Sequence, residues 1–375
     1  MKYFLIAGEA SGDLHASNLM RELKKLDSEA EFQFLGGDLM LAEGKNLVKH
    51  YRDMAFMGFV AVLKNARKVL NNMNICKKAI ASFQPDVVIL IDYPSFNLRI
   101  AKHVKDTLNI PVYYYISPKI WAWKEFRIKE IKKYVDKMFT ILPFETAFYK
   151  KHNYHVQYVG NPSVDSIAKR PNQEQSFEEF CRLNELSDKP IIALLPGSRK
   201  QEISSCLPTM LEAAGDYPDY QVVVSGAPGV ELDFYKPLLT SANSKVIFGQ
   251  TYEMLSHATA AVVNSGTATL ETALIGTPQV VVYQLAFSRL AMTLKPYLIK
   301  TKYVSLVNII AEKEVVKELL GHYFTKESLS AELNQLLNNK PYRKQMITNY
   351  ENMRAILGKP GAAERAAKGV YESLT

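Results

Sequence analysis

At 375 residues, 47% hydrophobic and 22% charged, the chain has the make-up of a globular protein too long for one ordinary core, and it suits two domains. No apolar stretch nears the roughly 20 residues that cross a bilayer, which excludes a membrane-spanning helix. Three scattered cysteines and seven histidines in no ligand pattern exclude a disulfide framework and argue against a protein-held metal, while a net charge of +8 leaves nucleic acid, anionic lipid or phosphorylated substrates as partners.

In chain order, MKYFLIAGEASGD carries one lysine and a short apolar run followed by acidic residues. It reads as a first strand, Lys2–Ala7, and not as a signal peptide. The turn Gly8-Glu9-Ala10-Ser11-Gly12-Asp13 precedes an amphipathic helix expected over about 15–26. It lacks the glycine spacing of a dinucleotide site and the Gly-Lys-Ser/Thr of a P-loop, and Glu9 and Asp13 would repel a phosphate. They suit sugar hydroxyls, with helix capping the plainer alternative. Residues 32–36 read as the next strand. MAFMGF, residues 54–59 with Met57 and Gly58, is an apolar loop that either packs under the domain or meets an apolar ligand, before a helix over about 60–83.

Val87–Ile91 is the most hydrophobic strand of the first half and delivers Asp92 at its carboxyl end, where open parallel sheets bind ligands. A carboxylate in that place is the first candidate for a general base, a turn former the alternative. Ser95 is expected to cap a helix through Val104. Further strands are expected at 112–116, 137–142 and 155–159, with a helix from Pro143 to about His152, and polarity rises over 169–188 as a linker.

The same strand, turn, helix grammar then restarts. Ile191–Leu195 runs into Pro196-Gly197-Ser198-Arg199, where small residues allow a backbone to approach an anion and a guanidinium supplies a two-pronged charge. Strands are expected at 221–224, 245–248, 260–263, 279–282 and 303–306. After the strand at 260–263 the chain breaks at Asn264-Ser265-Gly266, and a helix begins under the hydroxyls of Thr267 and Thr269. Free first-turn amides and small residues make this a phosphate seat, while Glu271 suits a neutral hydroxyl such as a ribose. An ordinary capped crossover is the plainer alternative. Helices are expected at about 312–320, 326–337, 341–357 and 362–374.

These patterns imply an α/β chain of two doubly wound domains with one cleft where the carboxyl ends of both sheets face each other. The expected limits are 1–168 for an acceptor domain, 185–345 for a donor domain, and 346–375 for C-terminal helices that return to the first domain. Dividing the cargo by charge puts a nucleotide-sugar in the second half and an alcohol acceptor in the first. Two clusters mix cations with apolar residues: Lys119, Lys124 and Arg127 with Trp121 and Trp123, and 287–303 with Arg289 and Lys295. They suit a membrane surface bearing anionic lipid, or else are helices with solvated faces.

Taken together, GEASGD at 8–13, IDYPSFN at 91–97, SPKIWAW at 117–123, LPGSR at 195–199, SGTATLE at 265–271 and YVSLVN at 303–308 resemble the lipid-A-disaccharide synthase family. The resemblance implies a GT-B fold, with two Rossmann-like domains, and an inverting, metal-independent, UDP-sugar-dependent glycosyltransferase without cofactor. Such enzymes join UDP-2,3-diacylglucosamine to 2,3-diacylglucosamine 1-phosphate by a β-1,6 bond and release UDP. Carried over residue by residue, the resemblance makes Asp92 the base and Arg199 the essential arginine. Ser265, Thr267, Thr269 and Glu271 become UDP-binding and Asn308 the family's asparagine, while Gly197, Ser198 and Gly266 are expected donor contacts from the phosphate seats described above. Glu9, Ser11, Gly12, Asp13, Met57 and Gly58 are the expected acceptor contacts, and Trp121, Trp123, Lys124, Arg127, Arg289 and Lys295 the membrane contacts. The family is cytoplasmic and peripheral to the inner membrane, and includes homodimers with exchanged C-terminal segments. Some members carry a second aspartate three residues after the first, where this chain has Ser95.

Competing readings are a UDP-N-acetylglucosamine 2-epimerase, a different glycolipid transferase, and a membrane-surface protein without chemistry. RNA binding through 119–137 ranks below lipid because no RNA-binding module pattern is present.

Overall fold

The computed structural model describes residues 1–54, 66–239, 244–284 and 301–375, and the chain divides into two compact units. The first comprises Met1–Pro162 with Lys359–Thr375, the second Ser163–Gly358.

The first unit is built on β1 (Lys2–Ala7), β2 (Glu31–Gly36), β3 (Asn46–His50), β4 (Val87–Ile91), β5 (Val112–Tyr115), β6 (Lys137–Thr140) and β7 (Gln157–Tyr158). They form a parallel seven-stranded sheet in the order β3-β2-β1-β4-β5-β6-β7. Near-continuous apolar runs form its centre because helices cover both faces. Phe4, Ile6, Val88, Leu90 and Tyr114 meet one layer, which includes Cys76 and Ile80 of helix Ala66–Phe83. Tyr3, Leu5, Ala7, Ile89, Ile91 and Tyr115 meet the other, with Ala16, Leu19 and Leu23 of helix Ala10–Leu26. Ala366, Ala367 and Val370 of helix Ala362–Glu372 join that second layer. The final helix is fastened by Arg365 Nε donating to the Val159 carbonyl at 2.8 Å and Tyr113 Oη donating to the Ser373 carbonyl at 3.0 Å.

The second unit carries β8 (Ile191–Leu195), β9 (Gln221–Gly226), β10 (Ser244–Phe248), β11 (Ala258–Asn264), β12 (Gln279–Tyr283) and β13 (Glu318–Leu320). All pairs are parallel, in the order β10-β9-β8-β11-β12-β13. Each sheet thus starts in the middle, builds outward, then crosses back to build the other way. The reversal opens a crevice at the carboxyl ends of β1 and β4 in one unit, and of β8 and β11 in the other.

Three local expectations differ from the structure. The first helix begins at Ala10, not near residue 15, because Gly12 lets it lie against β1; a Cβ there would stand 3.2 Å from the Ala7 Cβ. β3 was not expected, since NLVKH is a half-buried edge strand with little apolar pattern. Residues 303–306 are not a strand: Ser305 caps helix Leu306–Ala311, and the edge strand is β13, where a helix was expected.

Candidate active site

The first crevice is shaped by a strained turn. Register sets Ala7 beside Ile91, so the turns that leave β1 and β4 start level. Asp92 and Tyr93 then adopt φ of +43° and +48°, two successive left-handed residues without glycine. Each such residue is held at a cost of about 1–3 kcal/mol, which the surroundings must offset. Here the Asp92 carbonyl accepts hydrogen bonds from Tyr114 Oη at 2.5 Å and from Asn97 Nδ2 at 2.7 Å. The Asn97 amide also donates to the Ile91 carbonyl at 3.2 Å, and the Tyr93 ring lies where a Gly8 side chain would be. Asp92 ends the strand half-buried. Burial lifts its carboxyl above the ordinary range, while the Lys119 ammonium and the Tyr93 amide pull it back. A carboxylate of raised basicity at a strand end is suited to accept a proton.

The loop bearing Lys119 is fixed from beneath. Glu145, fully buried, accepts from Ser117 Oγ at 2.6 Å, Trp121 Nε1 at 3.2 Å, and the amides of Ile141 and Leu142 at 3.2 and 3.0 Å. Tyr149 Oη extends the network to Ser117 Oγ at 3.3 Å. Burial pushes the Glu145 carboxyl up to about 6 in spite of these donors.

This network corrects one membrane assignment. Trp121 is 8% exposed, its ring edge-on to Phe144, so it is a core residue and not a lipid contact. Trp123 is 51% exposed, with the Lys124 ammonium 4.1 Å above its ring, and Phe126 next to it is exposed. Arg127 turns onto Ser95, its Nη2 donating to Oγ at 3.0 Å. Arg289 and Lys295 lie outside the described residues, as do Met57 and Gly58.

Among the expected acceptor residues, Glu9 is the N-terminal flanking residue of helix Ala10–Leu26, Ser11 is exposed, and Gly12 is buried against β1. Asp13 is not available to a sugar. Its Oδ1 accepts from the amides of Gly37 and Met40 at 2.8 and 3.0 Å, and its Oδ2 from that of Leu39 at 3.1 Å. The carboxylate therefore caps helix Asp38–Glu43, which follows β2 on the side of β1 away from β4, as the capping alternative requires.

In the second crevice, Gly197 has φ +122°, and a Cβ there would meet the Glu202 carboxylate at 2.6 Å and the Asn264 amide at 2.8 Å. Only glycine fits, so the turn after β8 lies directly on the end of β11. The Ser198 amide donates to Glu202 Oε2 at 3.1 Å, and Arg199 pairs with Glu202 Oε1 at 3.0 Å. Arg199 is 57% exposed, so that pair contributes at most about 1 kcal/mol and is readily exchanged for a stronger anion.

Beyond β11, Ser265 is half-buried, while Gly266 and Thr267 are exposed at the head of helix Thr267–Ile275. A Cβ built on Gly266 meets nothing within 4 Å, which leaves the first-turn amides approachable. Glu271 accepts from Tyr252 Oη at 3.1 Å, and burial raises its carboxyl.

Two expected donor residues point elsewhere. Thr269 is fully buried, its Oγ1 donating to the Gly266 carbonyl at 2.8 Å. Asn308 is fully buried with its amide consumed. Nδ2 donates to the Val316 carbonyl and Glu318 Oε1, each at 2.9 Å, and Oδ1 accepts from the amides of Val315 and Val316. Thr269 closes the first turn of its helix, and Asn308 ties its helix to the segment entering β13. The residues that sequence reasoning passed over, Asn97, Tyr114 and Glu145, act through folding partners that local pattern does not reveal.

A family model described as Lipid-A-disaccharide synthetase matches residues 3–368. The chain belongs to this family. A lipid-A-disaccharide synthase from Myxococcus xanthus (strain DK1622) is 38% identical over 379 residues, covering 100% of this chain and 97% of the relative. One from Syntrophus aciditrophicus (strain SB) is 39% identical over 370 residues, covering 97% and 95%. Among solved structures, the UDP-GlcNAc 2-epimerase from Neisseria meningitidis bound to UDP-GlcNAc is similar with TM-score 0.68 at 15% identity, covering 99% of this chain and 100% of that one. The calicheamicin glycosyltransferase CalG4 is similar with TM-score 0.61 at 15% identity, covering 99% and 98%. At such identities the likeness concerns fold, which is of the GT-B type, with two Rossmann-like parallel sheets. As a family member the chain is a glycosyltransferase of lipid A synthesis. Among the described residues no helix is long and apolar enough to cross a membrane, and no group of three or more His, Cys, Asp or Glu could hold a metal.

Proposed function

We propose that the chain transfers 2,3-diacylglucosamine from its UDP donor to the 6-hydroxyl of 2,3-diacylglucosamine 1-phosphate, with inversion, and that Asp92 is the base. The observation that carries this reading is the family match over nearly the whole chain, with Asp92 at the first sheet's switch point on a clamped, strained turn. Asp92 takes the 6-hydroxyl proton as that oxygen attacks the anomeric carbon. The carbon–oxygen bond to the diphosphate breaks on the opposite face, and the electron pair leaves with UDP.

The charge that develops on the diphosphate is met by the Arg199 guanidinium, released from Glu202, and by the first-turn amides of helix Thr267–Ile275. Glu271, which already accepts one hydroxyl from Tyr252, binds the ribose in the same way. With guanidinium and amides in that role the reaction takes no metal and no cofactor, so a chelator leaves turnover unchanged. Lys124, Trp123 and Phe126 form a small apolar and cationic patch that meets the cytoplasmic face of the inner membrane, where both lipid substrates reside.

The test is incubation of the purified chain with both lipids and mass measurement of the product. A disaccharide that forms only when acceptor is present supports the reading. Consumption of donor without acceptor would support an epimerase instead.

A further inference from the structure

The structure brings two cations to the first sheet's switch point from either end of a single loop. Lys119 is the exposed residue in a buried run, Ser117 to Trp121, whose ends are tied to Glu145. The loop therefore sets where the ammonium stands, and its field reaches the Asp92 carboxyl. Arg127, at the other end, is half-buried and lies on Ser95 in the first turn of helix Pro94–His103, the helix that follows Asp92. Its field reaches the Tyr114 hydroxyl that holds the Asp92 carbonyl.

Neither cation has a carboxylate within ion-pair distance among the described residues, in contrast to Lys105, which pairs with Asp136 at 2.9 Å. Arg127 commits one N–H to a neutral hydroxyl and keeps four, and Ser95 keeps its own proton to donate. Asp92 faces both cations, with Glu9 the other carboxylate whose field reaches this turn, at Tyr93, so the place holds several directed donors that no carboxylate takes up. This is what a phosphate requires, and a planar guanidinium is matched to its oxygens.

We propose that Lys119, Arg127 and Ser95 form a seat for a phosphomonoester beside Asp92, and that it holds the 1-phosphate of the acceptor sugar. This rests on the transfer reaction given above and on Asp92 acting on the acceptor. The 1-phosphate and the 6-hydroxyl lie at opposite ends of one pyranose ring, so a sugar anchored by its phosphate presents the reacting hydroxyl a ring's breadth away. The seat makes the first unit specific for a phosphorylated sugar and rejects a neutral glycoside of the same acylation.

The test compares two acceptors in micelles of neutral detergent: diacylglucosamine 1-phosphate and its neutral 1-O-methyl glycoside. Lys119→Gln and Arg127→Gln are each expected to raise KM for the phosphorylated acceptor roughly tenfold or more, as for loss of a charge-assisted contact. KM for the UDP donor and for the neutral acceptor stays within about twofold. An equal rise in KM for both acceptors, measured above the acid limb of the pH profile, or an unchanged KM for the phosphorylated one, overturns the seat. Vesicle flotation on phosphatidylglycerol separates a sugar phosphate from a lipid headgroup. The variants float like the parent chain if the seat serves the substrate, and loss of flotation with unchanged KM overturns it. Should the parent chain transfer nothing, the reaction itself fails, and equilibrium binding of glucosamine 1-phosphate still decides the seat. Binding by the parent chain that the double variant loses supports it, and equal binding or none by both refutes it.

Discussion

Tyr114, fully buried in β5, donates its hydroxyl to the main-chain carbonyl of Asp92 across the strand pair β4–β5, at 2.5 Å. That bond and the one from Asn97 hold a carbonyl that the left-handed turn has rotated out of the sheet's hydrogen-bonding pattern. A buried carbonyl left without them would lose about 1–3 kcal/mol. Tyr114→Phe removes one donor at constant shape, so kcat falls by roughly tenfold or more while KM for both substrates holds. Steady-state kinetics check this, and the double variant with Asp92→Asn separates positioning from general instability. If Tyr114 acts through Asp92, the second substitution adds almost no further loss.

Asp92→Asn keeps the shape and the main-chain bonds but cannot take a proton. Turnover falls on the order of 10²-fold or more, with donor affinity retained, and unchanged turnover would remove Asp92 from the mechanism. The active form is the carboxylate, so kcat/KM rises with pH through the Asp92 pKa. Burial holds that pKa above the ordinary carboxyl range and Lys119 lowers it. Lys119→Gln therefore moves the acid limb of the profile to higher pH, and a limb that moves down or stays in place contradicts the pairing.

The Glu145 carboxyl, raised by burial to about 6, gives a stability test with a definite sign. The folded state binds this proton more tightly than the unfolded chain, where a glutamate titrates near 4.3. Glu145 accordingly favours the fold below that value, and the advantage is lost as pH rises through about 6. Glu145→Gln lacks the titration and also turns an amide toward donors from Ser117 and Trp121 or from Ile141 and Leu142. The variant is less stable throughout, and its deficit shrinks between pH 4 and 7. Denaturant melts of both chains at several pH values give the difference directly.

How far pattern carries is visible in particular residues. β1, β4, β8 and β11 are apolar runs buried on both faces, and such runs announce themselves, together with the turns they end in. Asp92, Gly197 and Ser265 were therefore legible as candidates. Asp13 and Asn308 misled because their partners are set by the fold. The Asp13 carboxylate caps a helix that starts 25 residues on, across β2, and the Asn308 amide closes onto Val316 and Glu318 of an edge strand. Residues 303–306 look like a strand in composition, yet Ser305 follows the rule for helix caps and that local bond prevails.

Asp13→Asn distinguishes capping from sugar binding. An amide offers one acceptor oxygen where three N–H groups need two, so stability falls by about 1–3 kcal/mol. Acceptor KM stays within about twofold, because the side chain is buried away from the crevice opening. A raised acceptor KM at unchanged stability would return Asp13 to the substrate.

Glu202 poses the corresponding question in the second unit. Its carboxylate occupies both the Ser198 amide and the Arg199 guanidinium, the two groups assigned to the diphosphate, so it competes with the donor for them. Glu202→Gln removes the charge but leaves an oxygen able to accept from Ser198. Because the Arg199 pair is exposed, little stability is lost with it. The donor no longer displaces an anion, and its KM falls by about two- to fivefold at low ionic strength, with the gain fading as salt screens both competitors. Arg199→Gln in the same background abolishes the gain if the guanidinium is what Glu202 withholds. If donor KM instead rises in Glu202→Gln, the carboxylate orders the turn for the nucleotide, and Arg199 is presented by Glu202 and not masked by it.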